Sequence, residues 1–144
     1  MINLDLGVLI DRPMKDVFAF VANPNNMSKW NSAIVSLEQV TPGAVGVGTK
    51  FKSVGEMMGR RIEGEMQITA YEPDIKCGFQ VNAGPMKVDL TMTFKTVGTG
   101  TKVGLNAQGN PGGIFKLAEG VMAGQVKSMM EGNLARLKSV LEGA

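Results

Sequence analysis

The stretch VMAGQVKSMMEGNLARLKSVLE, residues 121–142, contains the longest helical pattern in the chain. Its apolar residues recur every three or four positions, as on one face of a helix. They are Met122, Val126, Met129, Met130, Leu134, Leu137, Val140 and Leu141, preceded by Phe115. We predict a helix from just after Pro111-Gly112-Gly113 to about Glu142. Because no later strand completes a βαβ unit, we expect this helix to lie across a sheet as a lid.

The sheet is predicted between residues 33 and 110, where strand-length segments are separated by Gly, Pro and Asn. The segments are 34–40, 49–54, 61–71, 76–82, 86–97 and 102–108. Alternation in 86–97 forms an apolar face from Val88, Leu90, Met92 and Phe94. In 61–71 it forms one from Ile62, Met66, Ile68 and Ala70, with Tyr71 on the polar face. One apolar and one polar face are typical of an antiparallel sheet covered on one side.

The N-terminal region is predicted to form a strand and two short helices. Residues 2–10 alternate between apolar and polar side chains, which indicates a strand with one buried face. Asp11 and Pro13 open the first helix, and Asn23-Pro24 ends it. The second helix ends at Trp30, the one tryptophan of the chain. Trp30 either contributes a flat apolar face to the mouth of a binding site or packs as a structural plug.

Composition and charge exclude several classes of protein. The 144 residues fit one domain, which we expect to span 1–144. Lys+Arg number 15 against 13 Asp+Glu, and this net charge of +2 is too small to favour nucleic-acid binding. No segment approaches the roughly 18 apolar residues of a membrane span, and the N-terminus lacks the basic start of a signal peptide. We therefore expect a cytoplasmic protein with no membrane span.

The chain lacks most residues that carry metal and acid–base chemistry. It has no histidine, which removes the commonest general base and metal ligand. Its single cysteine, Cys77, can form neither an intramolecular disulfide nor a zinc-ligand set. Neither a P-loop nor a GxGxxG sequence is present. We expect no metal and no cofactor.

A strand, two short helices, six strands and a long C-terminal helix follow one another in the helix-grip order. The sequence resembles the polyketide cyclase/dehydrase and lipid-transport superfamily, which includes START domains and the birch-pollen allergen. The resemblance spans nearly the whole chain. It is carried by IDRPMKDVFAFVANPNNMSKWNSAI (10–34), GVGTKF (46–51), ITAYEPD (68–74), GTGTKV (98–103) and LARLKSVLE (134–142). It implies an α+β fold in which a curved antiparallel sheet of seven strands wraps the long helix and encloses a deep apolar cavity.

The resemblance also implies that residues of the apolar face and the lid bind a ligand. The candidate ligand-binding residues are Trp30, Phe51, Met66, Phe79, Met92, Glu119, Met122, Val126, Met129 and Asn133. The chain contains 11 methionines, whose flexible side chains suit an irregular apolar surface. The alternative is a solid core filled by the same side chains.

Two polar residues interrupt the apolar stripe of the lid helix. Glu119 projects beside Phe115 and Met122, and Asn133 projects between Met129 and Met130. Both either point into the cavity and bind the polar end of a ligand or satisfy structural needs. For Glu119 the structural alternative is solvent or an internal ion pair, and for Asn133 it is a hydrogen bond to backbone.

The same helix carries small residues at four-residue spacing, which are Gly120, Gly124, Ser128 and Gly132. Each glycine inside a helix costs about 1 kcal/mol relative to alanine. Three explanations stay open, which are contact with a second copy in a homodimer, a lid that bends to admit ligand, and tolerated drift on a solvent face.

Three functions are compatible with these features. The first is binding or transport of a small hydrophobic molecule, such as a lipid, isoprenoid, quinone or polyketide-like aromatic, which needs only an apolar cavity with few polar groups. The second is a cyclase or dehydratase, in which Glu119 or Glu56 acts as the base, with Tyr71 or Arg60 as donor. The third is an interaction module that uses its surface to bind a protein partner. The sequence favours binding without chemistry.

Overall fold

A computed structural model of the protein describes residues 2–32, 34–57, 60–83, 86–110 and 119–143. It begins with β1 (Ile2–Ile10), α1 (Met14–Val21), a 3-10 helix (Pro24–Asn26) and α2 (Met27–Trp30). Six strands follow, which are β2 (Ile34–Gln39), β3 (Lys50–Met57), β4 (Arg60–Glu72), β5 (Lys76–Ala83), β6 (Met86–Val97) and β7 (Gly100–Asn110). The last element is α3 (Glu119–Glu142). The predicted helix-grip order is confirmed.

The seven strands form one antiparallel sheet in the order β1-β7-β6-β5-β4-β3-β2. Each strand from β2 to β6 pairs with the next in sequence, as hairpins require. The N-terminal strand β1 instead pairs with β7, so that Ile2 lies opposite Gly109 and Ile10 lies opposite Thr101. The sheet therefore joins the start of the chain to its last strand.

The apolar face of the sheet is continuous across strands. One row of residues in register crosses five strands, from β4 through β5, β6 and β7 to β1. Its members are Ile68, Phe79, Leu90, Ala107 and Leu4. The alternation predicted for β6 is confirmed, because Met92 and Phe94 are buried while Lys87, Asp89 and Lys95 are exposed.

A bulge in β4 changes which side chains reach the core. The register of β4 against β5 shifts between Ile68 and Ala70, which leaves one extra residue in β4. Such an insertion moves the following side chains to the opposite face. Tyr71 therefore stands opposite the buried Cys77, and its ring meets the Phe18 ring edge-on at 5.6 Å. The prediction that Tyr71 lies on the polar face is wrong, because simple alternation does not register an inserted residue.

The bulge also explains why residue 78 is a glycine. A Cβ atom at Gly78 would stand 2.8 Å from Thr69 Oγ1 and 3.2 Å from Ala70 Cβ, closer than side chains tolerate. Gly78 follows the buried Cys77, so this contact is on the polar side of the sheet. Ala70 therefore lies on the polar side, and its assignment to the apolar face is also wrong.

The two short helices cover one end of the sheet. Val17, Phe18 and Val21 of α1 are buried, and the Phe18 ring meets Phe94 edge-on at 5.2 Å. After α1, the Asn23 side chain accepts a hydrogen bond from the Asn25 backbone N–H at 3.0 Å. This cap begins the 3-10 helix, and α2 follows it directly. The break predicted at Asn23-Pro24 and the helix end predicted at Trp30 are both confirmed.

Helix α3 packs its C-terminal half against the core. Leu134, Leu137 and Leu141 are buried there, and the helix ends at Glu142 as predicted. The predicted start of this helix falls within residues 111–118, which lie outside the described part of the chain.

Three polar side chains fix the last turn of α3 to the N-terminal region. Lys138 Nζ donates to the Leu9 backbone oxygen at 2.8 Å, and Arg12 Nη1 donates to the Leu141 backbone oxygen at 3.0 Å. The Glu142 carboxylate accepts hydrogen bonds from Lys138 and from the Asp11 backbone N–H, the latter at 2.9 Å, and both lower the pKa of Glu142. We call Arg12, Lys138 and Glu142 the helix anchor.

Candidate functional site

A cavity of about 120 Å³ lies between α3, the junction of α2 with β2, and the apolar face of the sheet. A single buried water needs only about 10–15 Å³, so the space admits a larger molecule. Most of the wall is apolar. The described lining residues are Trp30, Asn31, Ile34, Ser53, Gly55, Glu56, Ile62, Val81, Val88, Leu90, Leu105, Met129, Met130 and Asn133.

The sheet provides the floor of the cavity through small and medium-sized side chains. Val81 and Val88 face each other across β5 and β6, and Leu90 follows on β6. All three are only half-buried, although they belong to the apolar face. Phe79 and Met92 on the same two strands are 1% exposed and do not line the cavity. The cavity therefore lies over the part of the sheet where the side chains are short.

Trp30 places a buried hydrogen-bond donor in the cavity wall. The residue ends α2 and is 3% exposed. Its indole Nε1 is buried and has no hydrogen-bond partner within the described structure. A buried donor left unpaired costs about 1–3 kcal/mol, so such a group calls for an explanation.

Asn133 links α3 to the segment after α2. Its Oδ1 accepts hydrogen bonds from the Ser32 backbone N–H at 3.0 Å and from Ser32 Oγ at 2.9 Å. Its Nδ2 donates to Asn31 Oδ1 at 3.1 Å. The sequence left two alternatives for Asn133, a contact with a ligand or a hydrogen bond to backbone. The structure shows the hydrogen bond to backbone. Asn133 also forms part of the cavity wall, so it lies at the site without having its acceptor oxygen free.

Ser53 and Glu56 are the polar groups that β3 contributes. Ser53 is 3% exposed, and its hydroxyl makes no hydrogen bond to any residue of the described ranges. Glu56 lies at the exposed edge of the lining. It is the one ionisable side chain among the described lining residues.

The structure brings together three of the ten candidate residues. Trp30, Met129 and Asn133 line the cavity. Phe51, Met66, Phe79 and Met92 are buried in the core cluster but do not line the cavity. For Glu119, Met122 and Val126 the side chains lie outside the described residues, although all three positions belong to α3. Their roles stay predictions.

Sequence reasoning missed part of the floor. The lining residues that it did not select include Ile34, Ser53, Gly55, Ile62 and Val88. Ser53 and Gly55 share the parity of Phe51 on β3, so alternation places them on the apolar face. The missed signal was size, because short side chains leave the space that the large ones fill.

No acid–base or metal constellation appears in the described part of the chain. Burial raises the pKa of the Cys77 thiol to about 12, but Cys77 is in the packed core and outside the cavity lining. Among residues whose positions are described, no three or more Cys, Asp or Glu side chains come close enough to hold a metal ion. Within the same ranges, no helix has the length and hydropathy needed to cross a membrane.

Comparison with known proteins supports one family. The model of the family described as polyketide cyclase/dehydrase and lipid transport matches residues 1–142. No functionally curated protein matches the chain at a significant level.

Solved structures share the fold at low sequence identity. A conserved protein from Geobacillus kaustophilus superposes with a TM-score of 0.80 at 15% identity, covering 97% of this chain and 95% of its own. TTHA0849 from Thermus thermophilus superposes with a TM-score of 0.70 at 21% identity, covering 96% of this chain and 98% of its own. Ara h 8.0201 superposes with a TM-score of 0.72 at 16% identity, covering 99% of this chain and 98% of its own. Identities this low establish the common helix-grip fold and nothing finer.

Proposed function

Because this chain belongs to the polyketide cyclase/dehydrase and lipid transport family, we propose that it binds a small hydrophobic molecule in the cavity under α3. The observation that carries the proposal is the character of the cavity wall. Apolar side chains from α2, α3 and five strands of the sheet surround a space larger than any single water requires, and polar groups are few. Small-molecule sites typically combine a mostly apolar surface with a few polar groups that orient the ligand.

Carriage or sensing of the molecule fits this wall better than its conversion. Proton transfer needs an acid or base held within hydrogen-bond reach of the reacting atom, and usually a second group to stabilise the developing charge. Among the described lining residues, Glu56 has no ionisable neighbour in the wall that would act with it. Binding requires only the burial of apolar surface, which contributes about 25 cal/mol for each Å² removed from water.

Filling the cavity from its floor tests the proposal. N-phenylnaphthylamine, an uncharged probe whose fluorescence rises in apolar surroundings, is titrated into the purified protein. We expect saturable binding to the wild type and at least a tenfold loss of affinity in Val81→Phe, because the larger ring occupies the cavity. Val97→Phe, at an exposed position on the neighbouring strand β6, serves as the matched control and should bind like the wild type.

Native mass spectrometry of the freshly purified protein adds an independent test. Retention of one hydrophobic species by the wild type and its loss in Val81→Phe would support the proposal. Equal affinity of the probe for wild type and Val81→Phe, with both proteins folded, would refute binding in this cavity.

Cyclisation or dehydration of a polyketide-like substrate is the second candidate, and the position of Glu56 at the cavity edge favours it. A carboxylate there is placed to remove a proton from a carbon next to a ketone at the entrance. This function requires turnover of a linear poly-β-ketone that falls at least a hundredfold in Glu56→Gln. The control is Glu63→Gln, which changes an exposed carboxylate on β4. Turnover that persists in Glu56→Gln would exclude this role.

A further inference from the structure

We propose that the cavity selects an uncharged molecule whose polar end is a carbonyl oxygen, as in a ketone, quinone or ester. The Trp30 indole N–H and the Ser53 hydroxyl donate hydrogen bonds to that oxygen. This inference rests on the proposed binding function, and it defines the chemical class of the ligand within that function.

The first support is the unpaired donor on Trp30. The indole N–H can only donate, and it lacks a partner in the described structure although the residue is almost fully buried. Trp30 forms part of the cavity wall, so a ligand seated there can bring an acceptor to the indole. An acceptor oxygen on the ligand would remove the cost of the orphan donor, whereas a hydrocarbon would leave it in place.

The second support is the hydroxyl of Ser53 on β3. Ser53 stands on the apolar face, between positions occupied by Phe51 and Gly55, and it lines the same cavity as Trp30. Its hydroxyl forms no hydrogen bond within the part of the chain that the structure describes. Ser53 is 3% exposed and lines the cavity, so the cavity is the side from which a ligand reaches this hydroxyl.

The third support is that Asn133, the polar residue of α3 in the wall, has little left to offer as an acceptor. The amide oxygen of Asn133 has two lone pairs, and both are used by the backbone N–H and the hydroxyl of Ser32. The polar capacity that remains on Trp30 and Ser53 therefore consists of a donor and a hydroxyl that can donate. A ligand with an acceptor can pair with both groups, whereas a ligand whose polar end only donates could bond to the Ser53 oxygen but would leave the indole N–H unpaired.

The charge of the lining residues restricts the chemical class of the ligand further. No Lys or Arg belongs to the described lining residues, and the one charge there is the Glu56 carboxylate. A fatty-acid carboxylate would lose its hydration without gaining a counter-charge, and it would enter past a like charge. An ammonium group would pair with the Glu56 carboxylate at the exposed edge of the lining and not with the indole N–H, which has no lone pair to offer it. The neutral carbonyl is the polar group that these walls accommodate.

Three naphthalenes substituted at the same ring position test the inference by isothermal titration calorimetry at neutral pH. Acetylnaphthalene carries the neutral carbonyl, isopropenylnaphthalene replaces the oxygen with a methylene of the same shape, and naphthoate carries an ionised carboxylate. We expect naphthoate to bind the wild type at least about tenfold more weakly than the ketone does.

The decisive quantity is the ratio of ketone affinity to alkene affinity. In Trp30→Phe, which keeps an aromatic ring and removes the N–H, this ratio should fall about tenfold, as expected for loss of one hydrogen bond to a buried donor. In Ser53→Ala it should fall about threefold or more. Ser36→Ala, at an exposed serine on β2, is the matched control and should leave the ratio unchanged.

The outcomes separate this inference from the function on which it rests. A ratio that falls in either variant, together with weak naphthoate binding, supports the carbonyl assignment. If Trp30→Phe does not fold, Ser53→Ala carries the test alone. A ratio unchanged in every folded variant, or naphthoate binding as tight as that of the ketone, overturns the inference while leaving hydrophobic binding intact. Failure of all three compounds to bind the wild type overturns the proposed function and the inference with it.

Discussion

Trp30 and Asn133 line one cavity but have opposite hydrogen-bonding states. Both are nearly fully buried, at 3% and 5% exposure. Asn133 uses its oxygen and its nitrogen within the protein, whereas the Trp30 nitrogen has no partner in the described structure. Asn133 therefore contributes chiefly to the stability of the cavity wall. The Trp30 N–H remains able to donate a hydrogen bond to a bound ligand.

Replacement of Asn133 by leucine should destabilise the protein. Asn133→Leu removes the hydrogen bonds that Asn133 makes to Asn31 Oδ1 and to the backbone N–H and hydroxyl of Ser32, which should lower the free energy of unfolding by about 2 kcal/mol. Urea denaturation measures this change. The control is Arg136→Leu, an exposed position on the same helix, which should stay within about 0.5 kcal/mol of the wild type. Equal stability of the two variants would show that the hydrogen bonds to Asn133 contribute little.

Cys77 should make the stability of the protein depend on alkaline pH. Burial raises the pKa of its thiol from 9.0 to about 12 in the folded chain. Above pH 9 the unfolded chain loses this proton while the folded chain keeps it, so the free energy of unfolding should fall as the pH rises from 9 towards 12. The steepest decline is about 1.4 kcal/mol for each pH unit.

Comparison with Cys77→Ala isolates this effect, because lysines titrate in the same range. The variant should start less stable near neutral pH, since a buried side chain is shortened. Its deficit in stability relative to the wild type should then shrink as the pH rises, as measured by urea denaturation at several alkaline pH values. Parallel pH profiles for the two proteins would contradict the raised thiol pKa.

At the scale of the element, α3 differs along its length and between its faces. Its C-terminal turns bury leucines, and the helix anchor holds its last turn. Gly124 and Gly132 lie on its exposed face, where an added Cβ would meet no atom within 4 Å. Within the single chain, both positions therefore have room for a side chain.

Alanine at Gly132 should stabilise the protein. Gly132→Ala adds helix propensity without a clash, so the free energy of unfolding should rise by about 0.5–1 kcal/mol, as measured by urea denaturation. Gly78→Ala provides the contrast, because its Cβ would collide with Thr69 and should lower stability. A loss of stability in Gly132→Ala that is present at high protein concentration and shrinks on dilution would instead indicate that this glycine contacts a second copy.

The elements themselves were largely predictable from sequence. Alternation and helical spacing depend on neighbouring residues, and they identified β1 to β7 and the end of α3 at Glu142. The bulge beside Thr69 was not predictable, because it arises from pairing with β5 and changes the face of Tyr71. The cavity was predictable as an apolar space from the family resemblance, but its location depends on where Val81, Val88 and Leu90 are too short to fill it.

At the scale of the whole molecule, the cavity exists only when distant parts of the chain have come together. Its wall combines Trp30 at the end of α2, Ser53 on β3, Leu105 on β7 and Asn133 on α3. The sheet also depends on the pairing of β1 with β7, whose partners lie far apart in sequence, such as Ile2 and Gly109. A molecule bound in the cavity therefore binds the folded state and not the unfolded chain.

Ligand should consequently stabilise the protein by mass action. At a free ligand concentration one hundred times its Kd, the free energy of unfolding should rise by about 2.7 kcal/mol. Thermal unfolding with increasing acetylnaphthalene measures this as a rising Tm. Val81→Phe should show no rise, because its cavity is filled. An equal rise in Tm for Val81→Phe would place the binding elsewhere on the molecule.

The position of the only tryptophan makes the protein its own optical reporter. An indole sealed from water emits at short wavelength, and its emission responds to whatever group arrives at its nitrogen. Occupancy of the cavity can thus be followed in unlabelled protein, at dilutions where calorimetry has no signal. The same spectrum of the purified protein will register when an added natural molecule takes the place of a synthetic one.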